Sequence, residues 1–471
     1  MRQVLVLLAV WIAAQAAAFA QTPRPAGKPN VVLIITDDVG YGDIGSYGAP
    51  DIKTPHIDSL AKDGTKLTDF YAAPMCTPTR AALISGRYQQ RVRLERAINP
   101  GPQAQGLAAT GRSLPQLLKN NGYAAGLVGK WHLGFTAENS PLAHGFDSFF
   151  GFKSGFIDYY QHTRQDGQDD LFENDTPVKV DGYMTDLITD RSVTFIRQNA
   201  QQPFFLEVAY NAGHWPYQVP DHPSVAVDNS RHLMPFDSQT STRADYVKML
   251  ERADRGVGEI LAALKAAGLA SDTLVIFTND NGGEWLSRNA PLYHRKDTVW
   301  EGGIRVPALM RWPGRIPAGK VSGQVGITMD LTMTILAATG TSIPPEAKLE
   351  GIDLVPILAG RSPAVERTLF WRILANNRTQ RAVRQGGWKF VIDGDDALVF
   401  NLTRDIGERQ DLASQRQDVA ARLRPLLAAW ERDVDDEALK TMGPAPTAGP
   451  GPGPGPGRGP AGRGGRGGAT P

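Results

Sequence analysis

The sequence contains one cysteine, Cys76, in 471 residues, so it cannot form an internal disulfide bond. A chain of this length does not need one, because it buries enough surface to hold a large core. The 50 basic and 49 acidic residues leave a formal charge of +1, which gives no electrostatic reason to expect nucleic acid or a membrane as partner. After the first 20 residues, no segment is apolar enough to cross a bilayer. The sequence thus excludes a disulfide scaffold and predicts no stable membrane association.

Residues 1–20 have the pattern of a secretory signal peptide. Arg2 provides the positive charge, residues 4–18 form an apolar stretch, and Ala18 and Ala20 frame a cleavage site. A retained membrane anchor is the alternative, but the stretch is short for a span and has no stop-transfer flank. We therefore expect an exported protein, periplasmic or secreted, with a linker over residues 21–29. In an oxidising compartment, a lone cysteine is more easily understood as a reagent than as a structural link.

Four apolar, β-branched runs end in polar residues, which is typical of strands buried on both faces of a parallel sheet. The runs cover residues 31–36, 123–128, 204–210 and 274–278, and helical stretches such as 245–267 separate most of them. The carboxyl ends of parallel strands meet at one edge of a sheet, so the polar residues that follow are expected to form one site. The pattern predicts an α/β fold with a mostly parallel central sheet flanked by helices.

A main domain over residues 30–365 and a small C-terminal α+β domain over residues 366–440 are predicted. The second contains four strand candidates, which favour an antiparallel sheet, and an amphipathic helix over residues 419–434. Residues 441–471 are mostly Gly, Pro and Ala, with three arginines. Because this composition offers no apolar side chains to pack, a disordered Gly/Pro/Arg-rich tail is expected there.

Acidic side chains follow the first and the fourth runs, as Asp37-Asp38 and as Asp280-Asn281. Adjacent carboxylates repel each other unless a cation lies between them, although an Asx turn at the end of a strand is the simpler alternative. All four side chains offer hard oxygen donors, which suit Ca²⁺ or Mg²⁺ and argue against zinc or copper. The residues therefore predict a site for one divalent cation.

The lone cysteine precedes a helical pattern over residues 77–86. Thr77 is a favourable N-cap, Pro78 suits the first helical position, and Gly86 can end the helix. Cys76 is then expected just before a helix N-terminus, where free N–H groups and the helix dipole attract an anion that Arg80 can also reach. A buried, inert cysteine is the alternative.

Basic residues and histidines follow the other runs. Lys130 and His132 lie two residues apart, so in an extended segment both side chains point to one face. His214 follows the third run, and Lys296 lies beyond the fourth. The pocket would carry a net positive charge, because a divalent cation and three basic side chains outweigh three carboxylates. A positive pocket favours an anionic substrate.

The pattern Cys-x-Pro-x-Arg, followed by a small apolar helix and a glycine, resembles the signature of the type I, formylglycine-dependent sulfatases of the arylsulfatase and N-acetylgalactosamine-6-sulfatase type. The resemblance covers nearly all of residues 30–440, and its further points are Asp37-Asp38, Gly129 to His132, His214, Asp280-Asn281, Lys296 and residues 300–307. It implies an alkaline-phosphatase-like α/β/α sandwich. Ser85 and Ala125 depart from the residues usual in the family, but neither carries chemistry.

By this resemblance, a maturation machinery oxidises Cys76 to formylglycine, and the enzyme hydrolyses sulfate monoesters, aryl or carbohydrate, through a covalent sulfated intermediate. The family implies one Ca²⁺, with Mg²⁺ possible, held by Asp37, Asp38, Cys76 (as its modified form), Asp280 and Asn281. Catalytic roles are implied for Cys76, Arg80, Lys130, His132, His214 and Lys296. One hydroxyl of the aldehyde hydrate attacks sulfur, and His132 deprotonates the other to expel sulfate.

Three questions stay open on the sequence alone. A phosphonate monoester or phosphodiester hydrolase of the same superfamily can use the same modified cysteine, and a positive pocket accepts a phosphoryl group. A non-catalytic binding protein that keeps Cys76 as a thiol is less well supported, since every expected catalytic residue type is present. An aromatic cluster over residues 149–160 is expected to lie partly in the core, with a substrate-binding rim as the alternative.

Overall fold

A computed structural model describes residues 27–443 except 102–103, 165, 222–240 and 376–377. The signal peptide, most of the linker and nearly all of the tail predicted above lie outside the described residues. The α-helices are Pro55–Lys62, Cys76–Ser85, Leu114–Asn120, Met184–Gln198, Arg243–Ala266, Glu301–Ile304, Thr328–Ala338, Val355–Leu358 and Gln417–Met442. Short 3-10 helices are Tyr41–Asp43, Gly45–Tyr47, Gln89–Val92, Ala137–Asn139, Leu142–His144, Ala270–Asp272 and Pro345–Ala347.

The strands, numbered in chain order, are β1 Asn30–Thr36, β2 Thr65–Leu67, β3 Phe70–Tyr71, β4 Ala124–Lys130, β5 Ser148–Phe152, β6 Phe172–Glu173, β7 Thr176–Pro177, β8 Phe204–Ala209, β9 Thr273–Asn279, β10 Ala308–Arg311, β11 Lys320–Ser322, β12 Gly326–Ile327, β13 Thr368–Ala375, β14 Arg378–Gln385, β15 Trp388–Asp393 and β16 Asp396–Asn401. Ten of them form one sheet in the order β11-β2-β10-β9-β1-β8-β4-β5-β6-β7. Its centre, from β9 to β5, is parallel throughout. All four predicted runs are strands of this parallel centre.

Helices cover both faces of the sheet, which confirms the predicted three-layer arrangement. In β1, Val31 and Leu33 pack in the core on the face covered by the Cys76–Ser85 helix, whereas Val32 packs in the core on the opposite face. Every residue of β1 and of β8 is buried. This explains why these segments read as continuous apolar runs rather than as alternating ones.

A separate four-stranded antiparallel sheet runs β13-β14-β15-β16, and the Gln417–Met442 helix packs against it through Leu423 and Leu427. This arrangement matches the predicted small α+β unit, while its boundary at residue 366 stays a prediction. Trp371 Nε1 donates to the carbonyl of Ala72, the residue after β3, at 3.0 Å and so ties the small sheet to the segment that follows β3, which pairs with β12 in a separate two-stranded sheet. Within the described residues, no helix combines the length and apolar character that crossing a membrane requires.

The predicted start of the cysteine helix is wrong by two residues. Met75 is the N-cap, so Cys76 is the first residue of the helix rather than the residue before it. Thr77 does not cap the helix, because its hydroxyl donates to the carbonyl of His132 at 3.0 Å. Gly86 ends the helix with φ 67°, a left-handed conformation that glycine adopts easily, as predicted.

Candidate active site

The two acidic pairs lie side by side at the carboxyl edge of the sheet. β1 and β9 are parallel neighbours in which Thr36 pairs with Asn279, so Asp37-Asp38 and Asp280-Asn281 leave the sheet at the same level. All four side chains are buried. The sheet register thus brings together oxygen donors that lie about 240 residues apart in the sequence.

Three oxygens of this group have no hydrogen-bond partner among the described residues: Asp37 Oδ1, Asp280 Oδ1 and Asn281 Oδ1. Burial and the neighbouring carboxylate of Asp280 raise the pKa of Asp37 well above its ordinary value. A bound divalent cation would supply the missing partner for the oxygens, and hard oxygen donors of this kind fit Ca²⁺ or Mg²⁺. Asn281 Nδ2 donates to Asp38 Oδ1 at 2.7 Å, which orients its amide so that Oδ1 is the atom left available.

A different basic side chain holds each of the three carboxylates. Lys130 Nζ donates to Asp37 Oδ2 at 2.6 Å, and Arg80 Nη2 donates to Asp280 Oδ2 at 3.0 Å. Lys296 Nζ lies 2.8 Å from both oxygens of Asp38. Burial alone would raise the pKa of Asp38, but Lys296 and His214 outweigh it and hold this pKa below its ordinary value. Each carboxylate of the site is therefore paired with a positive charge.

Cys76 is buried at the start of its helix, in the middle of these charges. Burial raises the pKa of its thiol, against the opposing effect of Lys130 and Lys296. The unmodified side chain is therefore a protonated thiol rather than a ready thiolate nucleophile. Arg80, one helical turn further on, also donates through Nη1 to the Lys130 carbonyl at 3.0 Å, which fixes this helix to the end of β4.

His132 presents one free ring nitrogen. Its Nε2 lies 2.9 Å from the Ile98 carbonyl, which can only accept, so Nε2 carries the proton in this contact. Nδ1 is buried without a partner among the described residues. Burial and the nearby Lys130 lower the pKa of His132 well below its ordinary value. A neutral imidazole with an open lone pair has the form of a general base.

His214 lies beside Lys296 and Asp38. Its Nδ1 lies 2.6 Å from the Trp215 carbonyl, which leaves Nε2 to accept from Lys296 Nζ at 3.3 Å. Nε2 also lies 3.5 Å from Asp38 Oδ2, and ligand atoms of Asp37, Asp38 and His214 all lie within 4.8 Å of one another. Because the Lys296 ammonium occupies the space beside His214, we favour the unpartnered oxygens over this imidazole as cation ligands.

The aromatic segment contributes both to the core and to the site. A Cβ on Gly155 would come within 2.7 Å of His132 Cε1, so this glycine allows the backbone to lie directly against the imidazole. The next residue, Phe156, stacks on the ring of His214 with centroids 5.6 Å apart. Tyr159 is fully buried, and its hydroxyl donates to the carbonyls of Asn211 and His214 at 2.7 and 2.9 Å. One segment therefore touches both histidines.

Two acidic residues near the site were missed in the sequence. Glu207 lies in β8, where burial raises its pKa to about 7 against the opposing charge of Arg80. The sequence feature that could have indicated Glu207 is the presence of an acidic residue inside an otherwise apolar run. Glu284 lies 3.9 Å from Lys296 Nζ, and burial raises its pKa to about 7 as well. Glu284 lies in an irregular turn, where no pattern of apolar and polar residues indicates a functional role.

Comparison with known proteins identifies the family of this chain. The profile of the sulfatase family matches residues 29–341, more than half of the chain. The chain belongs to the sulfatase family. A second profile, for the C-terminal region of N-sulphoglucosamine sulphohydrolase, matches residues 291–432. These matches span both the large sheet and the four-stranded sheet, and they confirm the enzyme class predicted from the Cys76 motif.

Relatives match this sulfatase over most of their length. N-acetylgalactosamine-6-sulfatase of Canis lupus familiaris is 33% identical, with 92% of this chain and 90% of that protein covered. Arylsulfatase A of Bos taurus is 31% identical, with 84% and 85% covered. The crystal structure of Ps i-CgsB in complex with k-i-k-neocarrahexaose is 31% identical, with a TM-score of 0.77 and with 89% of this chain and 94% of that chain covered. The predicted fold and sulfate-ester hydrolysis are thereby confirmed.

Proposed function

We propose that this sulfatase cleaves sulfate monoesters with a formylglycine hydrate formed from Cys76. The observation that carries the proposal is the place of the only cysteine, which begins a helix within electrostatic reach of Lys130 and Lys296. Asp37 and Asp280, each with an oxygen that lacks a partner among the described residues, act on it as well. The raised pKa of its thiol argues against direct attack by sulfur. An aldehyde at this position would accept water and present two hydroxyls on one carbon.

The two hydroxyls divide the reaction into two steps. One loses its proton and attacks the sulfur of the ester, the bond from sulfur to the substrate oxygen breaks, the departing oxygen takes up a proton, and sulfate stays on residue 76. His132 Nδ1 then removes the proton of the second hydroxyl, the carbonyl re-forms, and the bond between carbon and the sulfate oxygen breaks. Water need not attack sulfur at any step. The open lone pair of Nδ1 supports this role for His132.

The leaving oxygen of the substrate needs a proton or a positive charge. Lys296 Nζ, which lies 3.3 Å from His214 Nε2, can donate that proton to the departing oxygen. Arg80 and Lys130 remain to bind oxygens of the hydrate and of the sulfate group. A correctly placed acid or base contributes about 10²–10⁴-fold to such a rate.

The divalent cation is proposed to be Ca²⁺, with Mg²⁺ as the alternative. Asp37, Asp38, Asp280 and Asn281 would hold it, together with an oxygen of the modified Cys76. When bound, the cation would balance the carboxylates and make the attacking hydroxyl more acidic. The chain's own contribution is to hold each carboxylate in place with Lys130, Arg80 or Lys296.

A sulfated carbohydrate is the proposed substrate class, and export the proposed destination. The name of a relative, N-acetylgalactosamine-6-sulfatase, supports a sulfated sugar, and a structure solved with k-i-k-neocarrahexaose supports a carbohydrate. The signal-peptide pattern of residues 1–20 supports export, and a formylglycine-generating machinery is required as a partner. Aryl sulfates serve as convenient test substrates for the same chemistry.

The test combines the mass of the Cys76 peptide with turnover. The aldehyde form is lighter than the thiol, since sulfur is exchanged for oxygen and two hydrogens are lost. We expect the lighter mass in active protein, and hydrolysis of 4-nitrophenyl sulfate to exceed that of the matching phosphodiester. Active enzyme that carries only the thiol would contradict the hydrate mechanism. A preference for the phosphodiester would contradict the substrate class.

A further inference from the structure

Asn211 is a buried amide that no part of the proposed mechanism uses. It lies two residues beyond the end of β8 and is only 1% exposed. Its side-chain Oδ1 and Nδ2 both lack a hydrogen-bond partner among the described residues. An unsatisfied buried amide destabilises a fold, and most such groups in proteins are paired, so this one requires an explanation.

The sheet order places Asn211 at the centre of the site. β8 lies between β1 and β4, yet Lys130 at the end of β4 bonds Asp37 just after β1 at 2.6 Å. This ion pair therefore crosses over the carboxyl end of β8. The chain is held there by the bond of 3.0 Å from the Asp37 N–H to the Ala212 carbonyl. Asn211 lies at this crossing.

The alternation of side chains along β8 indicates which way Asn211 faces. Phe205 and Ala209 pack on the face covered by the Cys76–Ser85 helix, and Leu206 and Val208 pack on the other. Continued by two residues, the same alternation puts Asn211 on the side of Cys76. Its backbone carbonyl is already bonded by the Tyr159 hydroxyl at 2.7 Å, so only the side chain is uncommitted.

We propose that Asn211 is a further substrate-binding residue that contacts the sulfate group, an inference that rests on the proposed function. Nδ2 donates to an oxygen of the sulfate, which can only accept. Oδ1 needs a donor, and the attacking hydroxyl of the hydrate at residue 76 provides one before it loses its proton. A neutral amide adds a directed hydrogen bond to the anion without adding charge to a site that already holds three cations.

The test uses Asn211→Ala and Asn211→Asp in protein with modified Cys76 and added Ca²⁺. Because Asn211 makes no side-chain bond in the free protein, Asn211→Ala should keep or raise the melting temperature. Its kcat/KM for 4-nitrophenyl sulfate should fall roughly tenfold to a hundredfold, the range for a lost hydrogen bond to a charged group. Inorganic sulfate should stabilise it less than wild type. Asn211→Asp, which sets a negative charge against the anion, should lose more activity.

Asn121→Ala is the matched control. Its amide donates to the Thr339 carbonyl at 3.1 Å and to Thr341 Oγ1 at 2.9 Å, and it precedes the amino end of β4, opposite the site. We expect a lower melting temperature with unchanged kcat/KM and sulfate response. If Asn211→Ala behaves like this control, Asn211 is structural and the inference is wrong. A wild type that hydrolyses no sulfate ester would instead overturn the proposed function, while the response to inorganic sulfate would still decide the role of Asn211.

Discussion

Asp37 in the active site and Glu301 at the junction with the small sheet are both fully buried carboxylates, yet their surroundings differ. Glu301 has partners for both oxygens: Lys389 Nζ donates to Oε1 at 2.8 Å, and the Tyr71 hydroxyl donates to Oε2 at 2.7 Å. Asp37 accepts one bond from Lys130, and its Oδ1 has no partner among the described residues. Burial is the same in the two places, but only one of these carboxylates is fully bonded.

The pKa values follow from this difference. Burial raises the pKa of both carboxyls, but at Glu301 the charges of Lys389 and Arg305 outweigh it and bring the pKa to about 2. At Asp37, burial and the carboxylate of Asp280 prevail, and the pKa stays well above its ordinary value. The bonds of Glu301 are complete within the fold, whereas the unpaired oxygen of Asp37 is available to a ligand.

The largest expected effect comes from replacing Cys76 in the active-site region. Cys76→Ser keeps one hydroxyl at the helix start but removes the second, so sulfate can be transferred to the residue and not expelled. We predict at most one turnover per enzyme and a stable mass increase on the serine. Cys76→Ala should show neither turnover nor adduct. Repeated turnover by the serine variant at a rate near wild type would show that the second hydroxyl is not needed.

Removal of divalent cations should have the next largest effect. We predict that exhaustive chelation abolishes turnover and that Ca²⁺ or Mg²⁺ restores it better than Zn²⁺, because the free donors are oxygens. Asp280→Ala should lose most activity and its thermal response to Ca²⁺, while the fold survives. Full activity in protein whose metal content has been measured as zero would contradict the cation site.

Glu301→Gln tests the fully bonded carboxylate at the junction with the small sheet. Removing one partner of a buried ion pair typically costs about 3–5 kcal/mol, because the remaining charge is left uncompensated. We expect chemical denaturation to show a loss of this order, while kcat/KM of the folded fraction and the response to Ca²⁺ stay as in wild type. A loss of catalysis without a loss of stability would show that the two regions are not functionally distinct.

The smallest effect concerns pH and Glu408, the second carboxylate beside Lys389. Burial and the neighbouring Glu301 raise the pKa of Glu408 to about 7. A raised pKa in the folded state stabilises the fold below the ordinary carboxyl pKa, and this contribution is lost as pH rises through about 7. Glu408→Gln stays neutral, so its melting temperature should fall less than that of wild type between about pH 5 and pH 9. Parallel curves for the two proteins would contradict this assignment.

Sequence patterns were informative where chemistry followed a regular element. The four apolar runs identified β1, β4, β8 and β9, and the polar residues at their ends proved to be neighbours because parallel strands end at one edge. Lys296 was predicted as a site residue from the resemblance to the sulfatase family, because no periodic pattern of apolar residues indicates it. Its ion pair with Asp38 joins residues 258 positions apart, which local pattern alone does not predict.

Other features depend on contacts between distant segments. The contact of Gly155 with His132 arises only once β5 lies beside β4. Likewise, Met75 rather than the predicted Thr77 is the N-cap of the cysteine helix. The Thr77 hydroxyl instead donates to the carbonyl of His132, just beyond the end of β4. Asn211 directly follows the third apolar run, but the sequence does not show that its side chain makes no bond in the described part of the fold.

The position of β1 in the sheet determines how much of the chain must be synthesised before the centre of the sheet can form. β1 pairs with β8 and with β9, so the centre of the sheet cannot close before residue 279 has been synthesised. Cys76, which is almost inaccessible in the folded protein, is made some 200 residues earlier. The oxidation proposed for Cys76 must therefore take place while the chain is still open, and a variant that folds faster would enclose more unconverted cysteine.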